Sequence, residues 1–255
     1  LGLKLARRGC DHRGMQSTEI MRATEPIYRI GEVFYFHPDT VAAGKEAGLD
    51  GFRFYILGRG GVLGDVEAGV VHSAFGYFHT GLIDKIWNSA RQVMAPRDAA
   101  RLYIDCAHQL GRAKFSDIAG LDEFVAAATQ IINHVEGASL PLFAGVRAEP
   151  VPVDTPAAAM HQAMVLREMR GSVHLLAQTA CGVPTPVAHS IKRPGDVAMF
   201  GYDEVPEVTD DDRANWHRAE ELTDELLMPA YASLSEHQAN ALVNGTAMMA
   251  HALDL

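Results

Sequence analysis

The stretch AAAMHQAMVLREMRGSVHLLAQTAC, residues 157–181, decides the fold. It contains no proline and is long enough for about seven helical turns. At about 100° per residue, one face carries Val165, Leu166, Met169, Val173 and Leu176, an ordinary core stripe. The opposite face carries Met160, Ala163, Met164, Arg167, Gly171, His174, Leu175 and Gln178. A face turned to water is rich in Lys and Glu. This face is apolar with a few polar heads, so the helix is expected to be wrapped by protein on both flanks. Helical patterns elsewhere supply the wrapping. The expected class is mainly α, a multi-helix bundle in two parts, with at most short β elements near 52–57 and 196–208.

Working outward, helical periodicity marks 65–79, 81–94, 97–110 and 121–136 before the long helix, and 212–228 and 235–253 after it. Asp98 and Asp122 sit in first turns, where a carboxylate meets the positive helix end. Gly182 and Pro184 stop the long helix, and Ser235 caps the last one. Residues 52–57, FRFYIL, fit either a strand or a buried helical turn. Four prolines (Pro141, Pro150, Pro152, Pro156) make 139–156 a linker. The expected organisation is a flexible tail over 1–16, a helical domain over 17–138, that linker, and a C-terminal helical part over 157–255.

Composition bounds the function. The 255 residues are 48% hydrophobic and 21% charged, ordinary for a globular chain. The net charge of −10 argues against broad nucleic-acid binding. No apolar run is long enough to span a membrane. Cys10, Cys106 and Cys181 are widely spaced and form no C-x-x-C, so a reducing, cytoplasmic setting is expected.

The chemistry candidates gather on the second face of the long helix. Arg167 offers a fixed fork for an anion, and His174, about two turns on, gains or loses a proton near neutrality. Gly171 lets a ligand or another helix approach the backbone. Met160, Met164, Arg170 and Gln178 complete that face. The same pattern also fits a helix–helix seam with a structural ion pair. If the face lines a cavity, Arg167 binds an anionic or aromatic organic ligand, with Arg59, Tyr35, His37, Phe78 and His79 as further lining. If the cavity is catalytic, His174 is the acid or base, Glu168 or Asp84 orients it, and Arg167 stabilises developing negative charge.

Other signals are weaker. Residues 58–64 read G-x-G-G-x-x-G, which misses the dinucleotide spacing, and no parallel-strand pattern supports it. Twelve histidines contain no H-x-x-x-H, H-E-x-x-H or E-x-x-H, so no metal site is assigned and no cofactor is expected, the alternative being a haem or metal held by residues from several segments.

Several segments together resemble a bacterial MarR-like helix-turn-helix family, largely of unknown function. They are EPIYRIGEVFYFHPDT, AGLDGFRFYILGRGGVLG, AFGYFHTGLIDKIW, LREMRGSVHLLA and AEELTDELLMPAYASLSEHQANAL. The family's R-G-x-x-H pattern matches Arg170, Gly171 and His174, and its glycine–arginine turn matches Gly58, Arg59 and Gly64. The resemblance implies DNA binding through a winged helix-turn-helix after the long helix. Here that interval is proline-broken and acidic, with Lys192-Arg193 its one strong basic pair, so the winged segment is expected to be shortened or lost. The leading expectation is a small-molecule-binding protein on a regulator scaffold. The alternatives are an enzyme using the same cavity, then a DNA-binding transcription regulator. A homodimer is expected, because Ala247-Met248-Met249-Ala250 needs cover.

Overall fold

Helix N-termini leave four N–H groups unpaired, and this sequence meets that demand repeatedly with prolines and side-chain caps. A computed structural model describes residues 10–255, with side chains from Ser17 onward. α1 (Cys10–Ala23) and α2 (Pro26–Ile30) open the chain. α3 (Pro38–Glu46) starts on a proline, and its cap, His37, accepts from the Asp39 N–H. α4 (Gly51–Gly60) is capped by Asp50 and runs into a 3-10 turn, Gly61–Leu63. Then follow α5 (Ala68–Phe75), α6 (Thr80–Ala90), α7 (Pro96–Phe115), α8 (Leu121–His134), α9 (Pro141–Arg147) and α10 (Thr155–Ala180). α11 (Thr185–Lys192) is followed by two 3-10 turns, Pro194–Asp196 and Ala198–Phe200. α12 (Asp210–Tyr231) and α13 (Glu236–Ala252) both start with reciprocal capping boxes, Thr209 with Asp212 and Ser235 with Gln238.

No strand occurs among the described residues. FRFYIL is helical and buries Phe54, Tyr55, Ile56 and Leu57, with Gly58 close against Tyr103 of α7. The stretch 196–208 is 3-10 and irregular. Residues 1–9 of the expected tail lie outside the described residues, and Cys10 to Gln16 are helical rather than tail.

α10 is the axis. It packs against α7, α12, α8, α2 and α9, and nearly every side chain from Ala157 to Met169 is buried. The two-sided wrapping follows from its composition: small and flexible apolar residues let helices close on both flanks. One expected stripe residue escapes, since Leu176 is 43% exposed. The proline-bearing stretch 139–156 carries α9, which buries Leu142, Phe143 and Val146, so it is not a bare linker. A single hydrophobic cluster runs from Ile20 to Ala250 and takes side chains from both expected parts.

Two helical glycines separate close packing from open space. A Cβ on Gly111 of α7 would lie 2.7 Å from the Pro156 carbonyl oxygen and 2.8 Å from Met160 Cβ. On Gly171 of α10 the nearest atom would be Arg167 Nη1 at 3.9 Å. Gly111→Ala is therefore expected to cost about 1–3 kcal/mol through overpacking against backbone. Gly171→Ala should gain up to about 1 kcal/mol from helix propensity. Urea unfolding of the two variants checks both signs.

Candidate functional site

The polar heads of α10 are engaged by groups from distant segments. Glu168 is 1% exposed, and burial alone would raise its pKa. Arg59 of α4 overrides this with a two-pronged pair, Nε to Oε1 at 2.8 Å and Nη2 to Oε2 at 2.9 Å. Arg167 Nη1 adds a bond at 3.1 Å, and the Tyr35 hydroxyl donates at 2.7 Å. The carboxyl is held down at about 2. Arg167 is shared with Glu32, reached by its Nη2 at 3.1 Å. Arg59 also donates to the Tyr55 hydroxyl and lies 4.4 Å from the Phe75 ring centroid, a cation–π contact.

A second network follows along the helix. Arg170 pairs with Glu220 of α12 at 2.7 Å and lies over the Tyr28 ring. The Thr223 hydroxyl donates to the Ala219 carbonyl, so its oxygen is left to accept from His174 Nδ1–H at 2.9 Å. His174 Nε2 then accepts from the Gln178 amide at 2.8 Å. Burial drives the His174 pKa down to about 4 although Glu220 Oε1 lies 3.5 Å away. Both ring nitrogens of this neutral imidazole are thereby occupied. Tyr77 lies between α5 and α6, and burial pushes its hydroxyl up to about 12.

Met160 and Met164 are core residues. His37 is a cap on α3, and His79 is the exposed cap of α6, accepting from Gly81 N–H. Phe78 is buried and stacked on Phe200. The structure therefore brings Arg59, Tyr35, Arg167 and Glu168 together, puts Arg170, His174 and Gln178 in the adjoining network, and leaves His37 and His79 in capping roles. Where the sequence led us to expect a void beside this face, the free space next to Arg59 and Glu168 is about 10 Å³, too little to hold even a small ligand. Arginine, tyrosine and carboxylate side chains fill the face themselves. Glu32, Tyr55, Glu220 and Thr223 were not anticipated.

The larger opening lies elsewhere. A groove of about 450 Å³ runs between α7 and the extended residues 149–154. Arg101, Ile104, Asp105, His108 and Arg112 form the helical wall, at spacings that return to one face. Two ion pairs pin the opposite wall in place, Arg97 to Glu149 at 2.6 Å and Arg112 to Asp154 at 2.8 Å. Behind the groove, His108 Nε2 and His161 Nδ1 share a hydrogen bond of 3.0 Å. Burial lowers both histidines, His161 to about 4.

α5 and α6 form a compact unit. α5 buries Val71, Ala74 and Phe75, and α6 buries Ile83, Ile86 and Trp87. The four-residue turn 76–79 begins at Gly76, whose φ of 79° suits glycine. Two helices joined by such a turn are the helix-turn-helix arrangement, the second helix being the reading helix. On α6, Thr80, Gly81, Asp84, Lys85 and Ser89 are exposed. The turn Ala198–Phe200 packs beside the start of α6 and leaves Thr80 and Gly81 exposed. The His79 N–H donates to the Phe200 carbonyl at 2.8 Å, and the Phe78 and Phe200 rings stack at 4.3 Å.

These features define an all-helical protein with a helix-turn-helix unit set against a long central helix. The chain belongs to a helix-turn-helix family, whose model matches residues 18–195. No curated protein and no solved structure matches it. No described helix is long and apolar enough to cross a membrane.

The titrations give a sign. His161 and His174 are depressed to about 4 from 6.5, so their contribution to stability is complete above pH 6.5 and is lost as pH falls toward 4. Glu168 is depressed to about 2 from 4.5, so its contribution is complete above pH 4.5 and is lost as pH falls toward 2. Urea midpoints are expected to drop through both windows. Glu168→Gln, which leaves Arg59 and Arg167 without their shared counter-charge, should cost about 3–5 kcal/mol near neutrality.

Proposed function

We propose that the protein is a small-molecule-binding member of its helix-turn-helix family, holding its ligand in the groove between α7 and residues 149–154. The supporting observation is the size of that groove, about 450 Å³, against about 10 Å³ beside the central ion network. Small-molecule sites occupy about 300–1,000 Å³ and combine apolar walls with a few polar groups. Ile104, Pro150, Val151 and Pro152 supply the walls, with Asp105 and His108 as polar heads. The sequence pointed to α10 for this role. Its arginines already meet Glu32, Glu168 and Glu220, so an incoming anion would have to displace a carboxylate. His174, with both ring nitrogens bonded, gives the enzyme alternative no free acid or base.

The test is ligand-observed NMR with a mixture of small aromatic fragments. Val151 is half exposed on the groove wall, and Val151→Trp puts an indole into the space. It should weaken every fragment that the wild type binds by about tenfold or more. Fragments retained with equal affinity would place binding elsewhere.

DNA reading through α6 is favoured by one observation, the α5–Gly76–α6 geometry. It has Lys85 as the lone exposed cation on the helix, beside Asp84. A salt-dependent mobility shift decides it: a shift at low salt that Lys85→Ala removes supports the reading. No shift at low salt eliminates it.

A further inference from the structure

The groove's charges show which ligand it fits. Each arginine at its edges already has a carboxylate. Arg97 meets Glu149, Arg112 meets Asp154, and Arg101 turns to Asp98 at 3.0 Å. Asp105, on the same wall one turn from both Arg101 and His108, has no cation within ion-pair distance among the described residues. Glu149 is 6% exposed, and its Oε1 lies 2.6 Å from Arg97 Nη2, so its charge is already matched. His108 offers its Nδ1 lone pair whenever its Nε2–H is donated to His161. With the three ion pairs neutral and His108 uncharged, the lining carries one unmatched negative charge, that of Asp105.

The unmatched charge of the groove is therefore negative. We infer that it takes a small organic cation, a primary amine carried on an apolar body. This rests on the groove being the ligand site. An ammonium group has three N–H donors and no acceptor, which suits the Asp105 carboxylate and His108 Nδ1. Its apolar body lies on Ile104, Pro150, Val151 and Pro152. A carboxylate ligand would face Asp105 with no unmatched cation in the lining to offset it. The expectation of an anion, drawn from Arg167, thus gives way to the opposite charge at a different place.

Benzylamine, benzyl alcohol and benzoate share one ring and differ in charge, so titration of the full chain with each by NMR near neutral pH separates the cases. Benzylamine should bind tightest. Asp105→Asn, at an exposed position, should weaken benzylamine by about fivefold and leave benzyl alcohol unchanged. If benzoate or benzyl alcohol binds the wild type as tightly as benzylamine, or Asp105→Asn binds benzylamine undiminished, the cation assignment is wrong while the groove stands as a site. If none of the three binds, or Val151→Trp binds them all as before, the groove reading fails and this inference with it.

Discussion

A carboxylate removed from water is tolerated only where cations and donors replace the hydration it loses. Glu168 is that carboxylate, and the placement of the surrounding helices follows from it. Arg59 reaches it from α4, Arg167 from α10, and Tyr35 from the segment before α3. Any slip of α4 along α10 would separate a two-pronged pair and leave charge buried without compensation. Hydrophobic contact alone is not so selective, because leucine and methionine surfaces slide past one another at modest cost. The aromatic residues around the cluster serve the same end. Phe75 and Tyr35 lie against the guanidinium faces of Arg59 and Arg167, which excludes water while keeping the cations stabilised.

The same constraint locates the helix-turn-helix unit. Phe75, the last residue of α5, packs on Arg59, so α5 is referred to the ion cluster directly. The next residue, Gly76, packs against Leu175 of α10, whose neighbour His174 bonds Gln178 and Thr223 of α12. The turn between α5 and α6 is thus held by α10 from one side and by Phe200 from the other. These holds are independent. Moving the Ala198–Phe200 turn would release Phe78 and the His79 N–H without releasing Phe75.

The sequence shows clearly what is set locally. Two-sided burial of α10 is legible because nearly every turn of residues 157–181 carries apolar groups in all directions. The caps at Ser235 and the stop at Gly182 are legible because their chemistry is short-range. What fills the second face is not legible: Glu32 meets Arg167 across 135 residues, and Glu220 meets Arg170 across 50. Nothing in either neighbourhood marks those pairings. The α5–α6 turn was hidden for a different reason. Tyr77 and Phe78 continue an apolar pattern past Gly76, so residues 65–79 read as one helix. Only the positive φ at Gly76 shows the break. FRFYIL was ambiguous because a fully buried run has the same composition in either geometry, and the packing of Gly58 against Tyr103 selects the helix.

Charge pairing and free space together separate structure from function here. On α10 each buried or half-buried cation has met an acid, and the space around them is filled; such a face specifies a fold. Along α7 the pairing is incomplete. Arg97 and Arg112 spend their charge pinning residues 149–154 at the two ends, and between those pins the extended, proline-bearing wall cannot close down onto the helix. Proline fixes φ and removes an N–H, so Pro150 and Pro152 keep that wall from coiling into the gap. The groove persists because its rim is rigid. Asp105 remains unmatched because neighbouring arginines are drawn to its competitors Asp98 and Asp154. An opening maintained by stiff walls, with one charge left over, is a place where packing has stopped short of completion, and that is where a ligand has something to add.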